Sequence, residues 1–227
     1  PEFVKAEIEY LQREYGIEGI SLLDEIGFPL VEEKAYAHLR AIAETGVKWR
    51  GQCRVDCMTP KLAKLASESG CISMGLGVES AWQQSLDLID KRITITKTKE
   101  TMQLLKENNI EIRLYMILGL PGEPEDIVEQ NWKFIEETDP AVVYLSLLTI
   151  RPGTPMYDNP DKFGMININT DWEKTTHLCS RYGDEVPYLT FEYKKESPWG
   201  KSLTKDQIVA NYLELQNRLK AKGIATL

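Results

Sequence analysis

Two rhythms of apolar residues alternate along the chain. Val4, Ile8, Leu11 and Tyr15 recur at helical spacing, Gly16 stops the helix, and a short apolar run follows over Gly19-Ile20-Ser21-Leu22-Leu23. Ala35, Leu39 and Ile42 mark a second helix that ends at Gly46, before a strand from about Lys48 to Arg54. Leu62 and Leu65 mark a third, ending at Gly70 before the run from Cys71 to Val78. A longer helical region then stops at Asn108-Asn109 ahead of Ile112 to Leu118, and another stops near Asp139-Pro140 ahead of Val142 to Leu148.

Five strands separated by helices predict an α/β fold, and strands that read almost solidly apolar belong to a parallel sheet covered on both faces. An α/β barrel and an open doubly wound sheet both satisfy this pattern. Beyond Tyr157 the rhythm breaks into a stretch rich in Asn, Asp, Gly and aromatics, and a last helix carries Ile208, Tyr212, Leu215 and Leu219 on one face. The expected organisation is therefore a domain over residues 1–157 and a C-terminal extension over 158–227.

Composition narrows the class. With 227 residues, 42% of them hydrophobic, the chain can bury a sizeable core. No run approaches the roughly 18 to 20 apolar residues of a membrane span, and no basic segment precedes an apolar one at the start. The formal net charge of −8 argues against a duplex nucleic-acid partner, because such binders present a basic field. Cys53, Cys57, Cys71 and Cys179 lie in or beside apolar runs without the density of a disulfide scaffold, so a reducing, cytoplasmic compartment is expected.

In parallel α/β folds the ligand lies at the carboxyl ends of the strands. Here those ends are polar and glycine-rich: Asp24-Glu25, Arg54-Val55-Asp56, Gly77-Val78-Glu79-Ser80, Gly119-Leu120-Pro121-Gly122-Glu123 and Arg151-Pro152-Gly153-Thr154-Pro155. Each alone is ordinary, since Gly and Pro are the usual turn residues and an acid at a strand end is often a helix cap. Their occurrence together is what matters.

Taken in order, these stretches, with Trp49 to Asp56, Ser69 to Ser80 and Met116 to Glu123 around them, resemble the radical S-adenosylmethionine superfamily. The closest likeness is to its branch with an upstream cobalamin-binding domain, and it covers roughly Pro1 to Tyr157. The resemblance implies a partial TIM-type (β/α) barrel with parallel strands, open on the side of a missing first strand. It also implies an enzyme that reductively cleaves S-adenosylmethionine to a 5′-deoxyadenosyl radical, using a [4Fe-4S] cluster and an electron donor such as flavodoxin or ferredoxin. Glu79 would accept hydrogen bonds from ribose hydroxyls, with Ser80 adding a contact. Ile117, Gly119, Leu120, Pro121 and Gly122 would meet the adenine and ribose, the glycines letting backbone approach. Arg54 is a candidate for the methionine carboxylate or, alternatively, an ion-pair partner of Asp24, Glu25 or Asp56. Asp24 and Glu25 would make substrate-side contacts. Arg113, on the parity of Ile117 and Gly119, would point inward toward an anionic partner, either substrate or a carboxylate such as Glu79.

The cluster motif of that superfamily, CxxxCxxC after the first strand, is not in the chain. Cys53-Arg54-Val55-Asp56-Cys57 has the first spacing, but the third position is Pro60, and the segment follows the wrong strand. Both cysteines therefore read as structural thiols, and no metal ligand is assigned. The chain enters at once into a helical pattern and is expected to be part of a longer protein whose cluster loop lies upstream of Pro1. On that reading the fragment alone is inactive. Two rival functions remain: a non-catalytic nucleotide-binding or scaffold barrel, and a barrel enzyme holding a phosphorylated substrate at Gly119 to Glu123. Glu123 counts against the latter, because a carboxylate repels phosphate.

Overall fold

The computed structural model describes residues 1–24, 26–27, 29, 31–171 and 189–226. Glu25 and the aromatic residues Trp172, Tyr182 and Tyr188 lie outside the described residues, as do His177 and Cys179.

The expected strands form where the apolar runs place them: β1 Gly19–Ser21, β2 Lys48–Cys53, β3 Cys71–Glu79, β4 Glu111–Leu118 and β5 Val142–Leu147. Helices α1 Glu2–Tyr15, α2 Glu32–Ala43, α3 Pro60–Glu68, α4 Gln83–Leu88, α5 Ile95–Glu107 and α6 Ile127–Thr138 connect them. The sheet has six strands in the order β1-β2-β3-β4-β5-β10, where β10 is the two-residue strand Ala225–Thr226. No apolar run announces β10. The pairs β1–β2 and β2–β3 are parallel, with Gly19 opposite Lys48 and Cys53 opposite Leu76.

Between β5 and β10 lie α7 Pro155–Asp158, the antiparallel pair β6 Met165–Ile166 with β7 Glu192–Tyr193, the hairpin β8 Glu196–Ser197 with β9 Gly200–Lys201, and the long helix α8 Lys205–Lys222. Thr204 and Gln207 form a reciprocal cap at the start of α8, and Gly223 closes it in the left-handed region. Ile208, Tyr212, Leu215 and Leu219 are its buried face, as the spacing predicts.

One predicted helix is two. The region before Asn108 breaks into α4 and α5 at Ile89 to Thr94, where Asp90 and Arg92 take positive φ of 53° and 59°. The Lys91 N–H reaches back to the Leu86 carbonyl at 2.9 Å and closes α4. Helical periodicity alone does not reveal such a stop, because neither Gly nor Pro marks it.

The chain forms two compact units that interleave along the sequence. One comprises Pro1–Val78, Thr96–Leu114 and Pro140–Val142, the other Glu79–Ile95, Tyr115–Asp139 and Val143–Leu227. In the first, Ala35, Leu39 and Ile42 of α2 and Trp49 of β2 are fully buried. The Trp49 indole N–H donates to Ser69 at 3.1 Å, which tethers β2 to the end of α3. The face of α1 is only partly covered: Ile8 is buried, whereas Tyr15 is 69% exposed. In the second unit α8 packs on α6. Arg218 pairs there with Glu129, and Lys222 with Glu136. Among the described residues no helix is long and apolar enough to cross a membrane.

Trp49→Ala should lower unfolding free energy by about 3–5 kcal/mol, because it removes a fully buried aromatic and strands Ser69. Denaturant titration measures this, and a loss under about 1 kcal/mol would remove Trp49 from the core.

Candidate functional site

The strand-end turns are built by side chains that satisfy backbone leaving the sheet. At the end of β3, Glu79 adopts φ of 69°, in the left-handed region that non-glycine residues rarely occupy. Its carboxylate, 17% exposed, accepts from Lys91 Nζ at 2.6 Å through Oε1. Oε2 has no hydrogen-bond donor among the described residues. The next residues are held tightly: the Ala81 N–H donates to Asn131 Oδ1 at 3.0 Å, and the Trp82 N–H donates to Ser80 Oγ at 3.1 Å. Ser80 is fully buried, and its hydroxyl caps its own turn.

The turn after β4 closes on itself. Glu123, only 6% exposed, reaches back so that its carboxylate accepts from the Gly119 N–H and the Leu120 N–H, each at 3.0 Å. On the other side the Tyr193 hydroxyl donates to the Gly119 carbonyl at 2.8 Å. Gly119 and Gly122 both have positive φ, 92° and 77°. A Cβ on Gly122 would lie 2.6 Å from Leu88 Cδ1, and one on Gly119 would lie 3.1 Å from Ile208 Cγ2. These glycines thus make room for protein packing, and the Gly119 amide and carbonyl already have protein partners. Leu120 and Pro121 are buried. Ile117 is half-buried and shares its strand face with Tyr115 and Arg113.

Glu79 and the Gly119 to Glu123 turn belong to the same compact unit, and α4 joins them. Gly122 packs against Gln84 and Leu88 of α4, and Lys91 just beyond that helix holds Glu79.

The other candidates lie in the first unit. Arg54 makes a two-point contact with Asp56, both bonds 2.9 Å, so the ion-pair alternative is formed. That pairing holds the Asp56 carboxyl below its ordinary range. Asp24 is exposed, and its backbone carbonyl accepts from Gln52 at 3.3 Å. The partners of Arg113 are neutral: Ser73 Oγ at 3.1 Å and the Gly51 carbonyl at 2.7 Å. The expected carboxylate partner is corrected accordingly. Guanidinium has five donors, and neutral acceptors on the next two strands suffice to orient it.

Cys53 is buried and its thiol is pushed up by burial, as is that of Cys57; Cys71 is pushed up to about 12. Among the described residues no group of three His, Cys, Asp or Glu side chains is arranged to hold a metal. The described residues therefore do not fit an iron–sulfur cluster.

Sequence reasoning missed five participants. Lys91 and Tyr193 act over 12 and 74 residues of separation, and nothing local marks them. Glu123 was legible as a charge but not as the inward clamp of its own turn. Tyr115 and Tyr144 stack with ring centroids 4.9 Å apart at 19°; the parity of Tyr115 with Arg113 and Ile117 is the signal that places it on the half-open strand face.

Comparison with known proteins adds independent findings. A family model described as the Radical SAM superfamily matches residues 1–135. An uncharacterized methyltransferase of Pyrococcus horikoshii is 29% identical over 179 residues, 78% of this chain and 39% of that protein. The anaerobic magnesium-protoporphyrin IX monomethyl ester cyclase of Cereibacter sphaeroides is 30% identical over 165 residues, 69% of this chain and 26% of that protein. The chain thus spans well under half the length of these curated relatives. Among solved structures, the radical S-adenosylmethionine methyltransferase TsrM of Kitasatospora setae, with cobalamin and a [4Fe-4S] cluster bound, superposes with TM-score 0.68 at 20% identity. That match covers 92% of this chain and 45% of the other. The likeness shows the fold that the resemblance implies, an α/β partial barrel of parallel strands.

Burial raises the Glu123 carboxyl from 4.5 to about 8, against the opposing pull of two backbone N–H bonds. Its folded pKa lies above its unfolded one, so the stability it contributes is full below the lower value and is lost as pH rises through the upper. Urea unfolding at a series of pH values should show this decline in the native protein. Glu123→Gln, which keeps an acceptor and does not titrate, should flatten it. Parallel pH curves for the two proteins would exclude a buried, titrating Glu123.

Proposed function

The chain belongs to the radical SAM superfamily, and on that premise we propose that its strand-end turns bind S-adenosylmethionine for radical chemistry in a longer protein. Glu79 carries the reading. Its carboxylate is half-sheltered at the end of β3 on a left-handed backbone, with Oε2 open to accept from a ribose hydroxyl. The adenine lies against Ile117 and the turn that Glu123 ties shut. Because the Gly119 amide and carbonyl are engaged, that turn acts as a rigid wall and Ile117 supplies the apolar contact. For Arg54, already paired with Asp56, the methionine carboxylate is the proposed ligand, and substrate-side contacts are the proposed roles of Asp24, Glu25 and Arg113.

The superfamily's chemistry is reductive cleavage of the sulfonium to a 5′-deoxyadenosyl radical. This chain's share is placement of the nucleoside and exclusion of water; the [4Fe-4S] cluster takes its ligands from outside the described residues. The likeness to a cobalamin-containing methyltransferase supports a cobalamin-dependent parent protein. The parent works in the cytoplasm with an electron donor of the flavodoxin or ferredoxin kind. A phosphorylated substrate at Gly119 to Glu123 is disfavoured, since the Glu123 carboxyl group already occupies the two N–H groups a phosphate would need.

In the full-length protein, Glu79→Gln should weaken equilibrium binding of S-adenosylmethionine by about tenfold to a hundredfold, the effect of losing a charge-assisted hydrogen bond. An unchanged dissociation constant would refute the ribose role.

A further inference from the structure

The turn between α4 and α5 carries three successive charges, and the fold sorts them. Asp90 and Arg92, each with positive φ, pair with each other at 2.7 Å and stand in solvent, 71% and 75% exposed. Lys91 between them turns the other way and is only 20% exposed. Its ammonium meets the carboxylate of Glu79, 12 residues back, at 2.6 Å. The outward pair is of the surface kind that adds little to stability. The inward pair costs desolvation at both ends and ties the cation to a strand end whose non-glycine backbone is left-handed.

An unrestrained Glu side chain samples several rotamers, and fixing one upon ligand binding lowers affinity. With Oε1 engaged by Lys91, Oε2 has no hydrogen-bond donor among the described residues. The backbone strain at Glu79 and the two positive-φ residues flanking Lys91 serve the same geometry from both ends.

We propose that Lys91 is a positioning residue, which holds the Glu79 carboxylate in the one orientation that accepts the ribose hydroxyls of S-adenosylmethionine. This rests on the ribose role of Glu79, and the test separates the two. Lys91 acts through Glu79 and touches no reacting atom. Its signature is therefore selective: replacing it lowers affinity for a nucleoside with its ribose hydroxyls and leaves affinity for one without them unchanged.

The measurement is equilibrium binding to the full-length protein of S-adenosylmethionine and of its analogue lacking the 2′- and 3′-hydroxyls. The ratio of the two dissociation constants is the readout. In Lys91→Met that ratio should fall by about tenfold toward the Glu79→Gln value, with the analogue's own affinity held within about twofold. Lys91→Arg, which keeps a cation, should recover part of the ratio, and the double variant should be no worse than Glu79→Gln alone. Lys91→Gln replaces Lys91→Met if the latter does not fold. If Glu79→Gln collapses the ratio while Lys91→Met leaves it intact, or weakens both ligands equally, Lys91 is merely structural and the inference fails. If Glu79→Gln itself leaves the ratio intact, the ribose reading fails and takes the inference with it.

Discussion

A backbone that leaves a parallel sheet carries N–H and C=O groups with no ladder to join, and each must find a partner before the turn can hold a shape. In this chain side chains supply those partners. Asn131 and Ser80 take the amides after β3, Glu123 takes two amides after β4, and Tyr193 donates to the Gly119 carbonyl. The rims are rigid for that reason. Rigidity is what a nucleoside site needs, because hydrogen bonds and apolar walls fixed beforehand do not have to be ordered when the ligand arrives.

The strands and most helices were legible because burial leaves a periodic trace: the face Ile208, Tyr212, Leu215 and Leu219 of α8 is as the spacing indicates. The break between α4 and α5 was not, since Asp90 and Arg92 enter the left-handed region without a glycine to announce it. Nor was β10, whose two residues carry no pattern of their own. At the site, the identity of Glu79 as a strand-end acid was readable, and its pairing with Lys91 was not. Glycines 119 and 122 were readable as special positions, but the reason for them lies in Leu88 and Ile208, which only the packed structure brings near. Ser80 and Arg113 illustrate a general limit: a polar side chain singled out in the sequence can be engaged by a neutral partner close by.

The family match places the chain in its superfamily, and the structural likeness shows its fold. The match ends at residue 135, yet Tyr193, Leu189 and Ile208 press on the turn at Gly119 from well beyond it. The C-terminal stretch is therefore part of the apparatus that shapes the site. The Cys53 and Cys71 thiols are pushed up by burial, and among the described residues no group of three His, Cys, Asp or Glu side chains is arranged to hold a metal.

The central claim is that the ends of β3 and β4 face one nucleoside. Hydrogen–deuterium exchange of the full-length protein, with and without S-adenosylmethionine, tests it most directly. Slowed exchange on ligand addition, centred on the segments around Glu79 and Ile117, is the predicted result. Exchange unaltered at both segments, with protection appearing elsewhere in the chain, would contradict it.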